Sequence, residues 1–249
     1  MDPAPAPRRG AYGIDAPYVV LLFGASGAAL VAIAAVTYGR GPWWIAALLG
    51  GLWFLLNAAS FLYTTRAGKF AVWGEILREL GLGGDERVLD MGCGRGAVLL
   101  LVAKLLPRGR AVGVDLWSTA DQSGNRPDVT LRNAEIEGVA DRVELHTGDM
   151  RELPFADDSF DVVLSSLAIH NIADAAGRAR AVEQAARVVR PGGRLAIADF
   201  RCTGDYAERL RALGLRDVSL RRLGWRYWYG NPWAATVLVT ATRPAAKPA

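Results

Sequence analysis

The stretch VLDMGCGRG at residues 88–96 decides the fold predicted for this chain. Its first four residues form a short apolar run with one acid, which is typical of a strand buried in a parallel sheet. Glycines at positions 92, 94 and 96 follow at once, and an apolar segment to about Leu106 indicates a helix. A glycine-rich turn between a strand and a helix lets backbone N–H groups approach a ligand closely.

Strands and helices alternate along the rest of the chain. This alternation predicts an α/β fold with a Rossmann-like, seven-stranded, mostly parallel sheet covered by helices on both faces. The predicted strands are Arg87–Met91, Ala111–Asp115, Val143–Thr147, Phe160–Leu167, Arg194–Asp199, Val218–Leu223 and Ala235–Ala241. Helices are predicted at Phe70–Leu80, from the glycine turn to Leu106, and at Thr130–Gly138, Asp174–Val189 and Asp205–Leu213.

Two acids stand where strands end. Asp90 lies two residues before the glycine turn, and Asp115 ends the second strand. A carboxylate at the second position can accept hydrogen bonds from both hydroxyls of a ribose. The turn has the spacing G-x-G-x-G, with Ala97 where a dinucleotide fingerprint has its third glycine, so the turn alone does not define the ligand.

Four motifs occur in an order that resembles the class I S-adenosylmethionine (SAM) dependent methyltransferases. They are VLDMGCGRG at 88–96, GDM at 148–150 leading to LPF at 153–155, DSFD at 158–161, and RVVRPGG at 187–193. The resemblance covers residues 70–243 and is greatest to the ubiquinone/menaquinone and related small-molecule methyltransferases. It implies that SAM is the cofactor.

The resemblance also implies roles at the methionine end of the cofactor. Asp90 would lie near the methionine amino group, and Gly92 and Gly94 would line the methionine and ribose end. After the fourth strand, Ser165 or Ser166 would border the methionyl group and the substrate, and we assign Ser165 to the site.

Further roles are implied at the ribose and adenine end. Asp115 would hold the ribose hydroxyls, and Leu116 would pack on the adenine ring. Asp149 would accept from the adenine amino group, while the backbone N–H of Met150 would donate to a ring nitrogen.

His170 and Asn171 are the candidate catalytic residues, because they follow the fourth strand at the mouth of the expected site. A histidine suits general-base work near neutral pH, and a base is needed only when the acceptor must lose a proton. The alternative is that His170 shapes the pocket or bonds a backbone group. His146 lies inside a strand, where a structural role is expected.

The N-terminal part of the chain has the pattern of a transmembrane helical hairpin over residues 16–66. Residues 16–39 and 41–65 carry no charge, and each is long enough as a helix, at roughly 36 Å, to cross a hydrocarbon core of about 30 Å. Aromatic residues stand near the ends, as at membrane interfaces. The alternatives are a buried core hairpin of a soluble protein and, less favoured, a secretory signal peptide.

Flanking charges predict the orientation of the hairpin. Arg8 and Arg9 precede the first span, Arg66 and Lys69 follow the second, and Arg40 lies in the turn. The positive-inside rule therefore places both termini and the body, residues 67–243, in the cytoplasm. Proline-rich residues 1–15 are expected to form a disordered tail, and residues 244–249 a second tail.

Composition excludes several classes of function for the body. The net charge is +3 over residues 1–69 and only +1 over the remainder, which gives no basis for nucleic-acid binding. Two cysteines and two histidines make a structural metal site improbable, so no metal is expected. Residues 165–168 read SSLA, which lacks the Asp/Asn-Pro-Pro-aromatic motif of nucleic-acid amine methyltransferases.

Two segments suggest what the acceptor is. Residues 116–125 form a polar loop that could be a lid, and residues 221–233 concentrate tryptophan, tyrosine and arginine between strands six and seven. Beside a membrane hairpin, such residues favour a lipid headgroup layer or a lipophilic substrate. We therefore expect a membrane-anchored methyltransferase of a small lipophilic molecule. The alternatives are methylation of a soluble thiol or other polar molecule, and a non-catalytic SAM-binding membrane protein.

Overall fold

The computed structural model describes residues 8–245 as an α-helical hairpin followed by an α/β body. The helices are α1 (Pro17–Thr37), α2 (Trp43–Tyr63), α3 (Lys69–Leu80), α4 (Ala97–Leu105), α5 (Pro127–Ile136), α6 (Ala175–Val188) and α7 (Thr203–Ala212). The strands are β1 (Arg87–Met91), β2 (Arg110–Asp115), β3 (Val143–Thr147), β4 (Phe160–Ser166), β5 (Val189–Asp199), β6 (Arg216–Arg222) and β7 (Val237–Thr242). A π-helical turn, Thr64–Gly68, joins α2 to α3.

The predicted seven-stranded, mostly parallel sheet is confirmed. Its strand order is β3-β2-β1-β4-β5-β7-β6, and β7 runs antiparallel to both of its neighbours. Strands β2 and β3 lie on one side of β1 in the sheet, and β4 to β7 lie on its other side. The carboxyl ends of β1 and β4 therefore flank a crevice where open α/β sheets bind ligands.

Helices cover both faces of the sheet, which explains why the central strands are apolar on both sides. One hydrophobic cluster joins α3, α4 and α5 to the sheet and includes the fully buried Trp73. A second cluster joins α6 and α7 to the opposite face. Strand β1 is buried from Val88 to Met91, so the sheet holds its terminal residues rigidly.

Local sequence signals explain where α6 begins, and a bulge explains where β5 begins. The Asp174 side chain caps α6 by accepting a 2.6 Å hydrogen bond from the Gly177 N–H.

Strand β5 was expected to start at Arg194, after the Pro-Gly-Gly stop. It starts at Val189, because this residue pairs with Phe160 and a register shift in the β4–β5 pairing accommodates the stop.

The segment between β6 and β7 lies at the same edge of the sheet as the glycine turn. The sequence alone predicts that this segment begins and ends away from that edge, and that its length lets it reach the edge or the membrane; its starting point is corrected here. Strand β6 runs antiparallel to β7, which in turn runs antiparallel to β5, so β6 ends at the edge where β5 ends. In the register, Val237 at the start of β7 faces both Asp199 and Arg222.

Helices α1 and α2 form a tightly packed hairpin with an apolar outer surface. They cross at Gly27 and Gly51, where a Cβ on either glycine would lie within 3.0 Å of the opposite backbone. Small residues at such a crossing are typical of helices that associate in membranes. Large side chains on the hairpin point outward, among them Leu21 at 72% exposed and Trp43 at 78% exposed.

Residues 8–15 pack along the body, so the predicted disordered tail is wrong for this part of it. The N–H groups of Arg9 and Gly10 donate to Glu137 Oε1 at 2.9 and 2.8 Å, and the Ala11 N–H donates to Asn133 Oδ1 at 2.8 Å. Side-chain acceptors on α5 and at its end thus satisfy backbone donors that proline-rich composition does not reveal. The remainder of that tail, residues 1–7, and residues 246–249 of the C-terminal tail lie outside the described residues.

A network of hydrogen bonds around Asp15 joins the hairpin to the body, and we call it the Asp15 junction. The Lys69 ammonium lies 2.8 and 3.0 Å from the two carboxylate oxygens. The Thr65 and Tyr229 hydroxyls each donate to Oδ2 at 2.8 Å, and Gln122 Nε2 donates to Oδ1 at 3.0 Å. Burial opposes ionisation here, yet the Lys69 charge and the hydrogen bonds from Lys69, Thr65 and Tyr229 lower the pKa of Asp15.

We expect Asp15→Ala to destabilise the folded chain by about 3 kcal/mol, because it leaves the Lys69 ammonium buried without a counter-ion. Denaturant unfolding of the detergent-solubilised chain measures this change. Asp128→Ala is the control, since it breaks an exposed pair with Arg126 and should change stability little. Equal unfolding midpoints for Asp15→Ala and wild type would show that the junction does not stabilise the fold.

Candidate active site

The glycine turn after β1 approaches the loop after β4 so closely that a side chain cannot fit. Gly92 has φ +77°, and a Cβ there would lie 2.2 Å from the Ala168 Cβ. Its N–H donates to the Val114 carbonyl at 2.8 Å, which fixes the turn against the end of β2. The turn therefore places backbone directly at the floor of the crevice, where Gly92 and Gly94 line the cavity.

The carboxylate of Asp90 is buried without a hydrogen-bond partner. Its exposed fraction is 2%, and among residues 8–245 neither carboxylate oxygen has a donor within hydrogen-bond geometry. Burial, with a further contribution from the Asp115 carboxylate, raises the pKa of Asp90 to about 7. A buried acid that faces a cavity and lacks a partner is suited to a cationic ligand group, such as the amino group of a methionyl moiety.

Backbone and side-chain donors hold the carboxylate of Asp115 at the end of β2. Its Oδ2 accepts from the Gly94 N–H at 2.8 Å, and its Oδ1 accepts from the Trp117 N–H at 2.6 Å and from Asn125 Nδ2 at 3.1 Å. An ionised carboxylate has about four acceptor positions, so these bonds orient it and leave capacity for a further donor. That capacity is smaller than two ribose hydroxyls would need without a rearrangement of the loop.

The residues expected at the adenine end line the same cavity. Leu116, which is 62% exposed, and Met150 are both among the lining residues. Asp149 forms an ion pair with Arg151, whose Nε lies 3.0 and 2.9 Å from its two oxygens. Hydrogen bonds from Arg151 lower the pKa of Asp149. An adenine amino group would therefore have to share this carboxylate with a guanidinium that the sequence pattern did not reveal.

Ser165 does not face the cavity, so its assignment to the site is corrected. Its hydroxyl donates to the Met91 carbonyl at 2.9 Å, and the residue is 1% exposed. Successive strand residues point to opposite faces, and Ser166 is the one that lines the cavity. The Ser166 hydroxyl contacts the Tyr227 hydroxyl at 2.8 Å and accepts from Trp73 Nε1 at 2.9 Å.

His170 and Asn171 line the cavity after β4, and His170 has an acidic neighbour that the sequence analysis missed. Its Nδ1 lies 2.7 Å from Asp199 Oδ1, although the angle falls outside hydrogen-bond geometry. The His170 backbone N–H donates to the other Asp199 oxygen at 3.1 Å. Asp199 ends β5, next to β4 in the sheet, and is fully buried. An acid at the carboxyl end of a strand is the signal that could have identified it.

The cavity, about 660 Å³ in volume, connects these residues to the hairpin. Asp90, Asp115 and His170 line its body end, and the Asp15 junction contributes Asp15, Lys69, Gln122 and Tyr229. The hairpin contributes Tyr18, Val19 and Phe23 from α1 and Phe61 from α2. None of these hairpin residues was expected at the site, because sequence patterns assign them to a membrane span.

The sheet order and the glycine turn after β1 are those of the Rossmann-like methyltransferase fold. Residues 89–197 match the sequence profile of the methyltransferase domain family. The match indicates a methyltransferase domain in this part of the chain, with SAM as its cofactor. The resemblance inferred from the four motifs is thereby confirmed for the family and the cofactor.

Curated relatives of the body carry the names of small-molecule methyltransferases. The 27-O-demethylrifamycin SV methyltransferase of Amycolatopsis mediterranei is 36% identical over 147 residues, which cover 57% of this chain and 50% of that protein. The ubiquinone/menaquinone biosynthesis C-methyltransferase UbiE of Dinoroseobacter shibae is 34% identical over 134 residues, covering 53% and 50%. The chain thus spans about half the length of these curated relatives.

Solved structures support the fold. A SAM dependent methyltransferase from Aquifex aeolicus superposes with a TM-score of 0.54 at 19% identity. The match covers 68% of this chain and 88% of that one.

We expect SAM affinity to fall by about tenfold between pH 7.5 and pH 5.5. The pKa of about 7 means that Asp90 takes up a proton over this range and loses the charge that attracts the methionyl amino group. The α-amino group itself stays largely protonated throughout. Calorimetric titration of the full chain measures the effect. Asp90→Asn should bind more weakly at pH 7.5 and show a flat pH profile, and a wild-type profile as flat as that of the variant would disprove this role.

Proposed function

We propose that this chain is a membrane-anchored, SAM-dependent methyltransferase that methylates a small, lipophilic acceptor. The observation that carries the proposal is the shared cavity. Its lining combines the acids expected to bind the cofactor, Asp90 and Asp115, with apolar side chains of the hairpin, among them Val19, Phe23 and Phe61. An acceptor that partitions into lipid suits a site that is partly walled by a candidate membrane span.

The chain's own residues bind and align the reactants. Bound SAM would supply an activated methyl group, and transfer needs the acceptor atom in line with it. Asp90 would hold the methionyl amino group, and the glycine turn at Gly92 would let the cofactor lie against the backbone. Alignment of this kind can account for a large part of a rate acceleration. The relatives' names support a small molecule as acceptor.

His170 stands where a general base would act if the acceptor loses a proton. The buried Asp199 carboxylate beside Nδ1 would favour a proton on that nitrogen and leave Nε2 as the acceptor. The Phe200 ring contacts the imidazole edge-to-face at 4.6 Å between centroids and restricts its movement. This arrangement supports a base over a residue that merely shapes the pocket.

The exposed surface of the hairpin supports the membrane anchor. Few residues of these helices are buried inside the protein. In the most hydrophobic part of α1, 11% of the residues are buried, and in that of the continuous helical stretch Trp43–Leu80, 22% are buried. A core helix of a soluble protein would be mostly buried. Each helix has 21 residues, or about 32 Å, which matches the hydrocarbon thickness. We therefore propose two spans with the body and both termini in the cytoplasm.

Cysteine labelling tests this topology. A cysteine at Arg40, in the hairpin turn, should react with an impermeant maleimide on intact cells. A cysteine at the exposed Arg66 should react only after permeabilisation. The native Cys93 and Cys202 belong to the body and should remain unlabelled in intact cells. Labelling at Arg66 but not at Arg40 would reverse the proposed orientation.

The activity is tested by incubating membranes that contain the full chain with SAM carrying a labelled methyl group. We expect label in a molecule of the lipid extract, and much less label with Asp90→Asn, because that variant weakens cofactor binding. Label in a polar metabolite would contradict the lipophilic acceptor and favour the soluble alternative. If neither phase gained label above the variant, methyl transfer itself would be refuted in favour of a non-catalytic SAM-binding protein.

A further inference from the structure

We propose that α1 and α2 form the acceptor-binding wall of the cavity, and that an amphiphile with an uncharged polar head and an apolar tail enters it sideways from the bilayer. The hairpin is then part of the binding site and more than a tether. This inference rests on the proposed function for the identity of the site, and it adds the residues that select the acceptor.

The wall consists of apolar side chains that the two helices place next to the methyltransferase site. Val19 and Phe23 are four residues apart and therefore share one face of α1. Phe61 of α2 packs edge-to-face on Tyr229, with ring centroids 4.9 Å apart. All of these side chains line the cavity that also holds Asp90 and His170. A tail lying along α1 would therefore have its head near the reacting end.

Tyr18 gives the cavity a route to the surface of the hairpin. It lines the cavity, yet 64% of it is exposed. Leu21 and Leu22, one turn further along α1, are 72% and 62% exposed and belong to the surface that would face lipid. The cavity thus reaches the outside of the chain at the first turn of the span. An opening at this level admits a molecule from the membrane interface without passage through water.

The polar part of the cavity fits a head without net charge. Lys69 is a cation in the lining, but Asp15 neutralises it through two contacts of 2.8 and 3.0 Å. The Tyr229 hydroxyl also donates to Asp15. A charged head placed against this pair would compete with one of its partners, which is costly in a buried site. A phenol, enol or similar neutral group could bind without disturbing it.

The segment between β6 and β7 closes the wall on its other side. Asn231 Nδ2 donates to Asn57 Oδ1 at 2.9 Å, and Asn57 Nδ2 donates to the Trp53 carbonyl at 2.7 Å. Asn57 therefore joins the hairpin to the body. Asn231 and Ala234 line the cavity from this segment. Hairpin and body thus enclose one site together.

Photolabelling in vesicles tests the wall independently of turnover. The probe is a phenol that carries a long alkyl tail with a diazirine, added to the full chain in phosphatidylcholine vesicles. After irradiation, peptide mapping should place label on the cavity side chains Val19, Phe23 and Phe61, and little on the lipid-facing Leu21 and Leu22. Label spread evenly over the lipid-facing side chains, without enrichment at those positions, would overturn the inference.

Two matched variants on α1 sharpen the test. Val19→Trp places a larger side chain in the cavity and should reduce this labelling by about tenfold, because the probe's tail would then have to crowd into the remaining space. Val36→Trp makes the same change at a position that is 69% exposed and should leave labelling unchanged. The unfolding midpoint in denaturant, compared with wild type, reports on folding in both variants. Equal labelling of the two variants would also overturn the inference.

The same experiments separate this inference from the proposed function. If the cavity residues are labelled but no acceptor gains a methyl group in membranes, the wall stands and the methyltransferase proposal fails. If a lipid gains label from SAM while the probe ignores Val19, Phe23 and Phe61, the proposed function stands and the wall fails.

Discussion

The ion pair between Asp15 and Lys69 is the contact on which the arrangement of the whole molecule depends. Asp15 precedes α1, and Lys69 begins α3, so the pair closes the hairpin at its base. The other donors to the same carboxylate come from the π-helical turn between α2 and α3, the segment after β6 and the loop after β2. Since a buried carboxylate must be satisfied, these four parts of the chain are held in one geometry.

This geometry ties the hairpin to the cofactor site through one amide side chain. Gln122 donates to Asp15 with Nε2 and accepts from the Arg95 N–H with Oε1 at 2.8 Å. Arg95 belongs to the glycine turn, and Gln122 Oε1 lies 2.6 Å from where a Gly94 Cβ would be. Deletion of residues 1–66 would remove Asp15 and Thr65 and release this contact. The activity of a truncated body would therefore reflect damage to the cofactor site as well as loss of the hairpin. Point substitutions can separate these two effects.

The sequence predicted secondary-structure elements, which depend on neighbouring residues, and missed contacts between residues that are far apart in the chain. Strands β1 and β3 match their predicted bounds, because apolar runs and turn residues act over a few positions. The choice of Ser165 failed because strand alternation decides which neighbour faces the cavity. Asp199 and Asp15 were missed because their partners lie 29 and 54 positions away. No periodic pattern carries such information, and the hairpin's part in the cavity required the same long-range packing.

The buried Lys69 also changes the argument for orientation. The sequence counted it as a flanking cytoplasmic charge, but it is 4% exposed and neutralised by Asp15. Arg8, Arg9 and Arg66 remain exposed on the body side, against Arg40 in the turn. The bias therefore persists with three charges against one. The body also docks on that side, where Trp225 stacks on Tyr63 with centroids 5.3 Å apart. Because a folded body cannot cross the bilayer, the side on which it folds would set the direction of the two proposed spans.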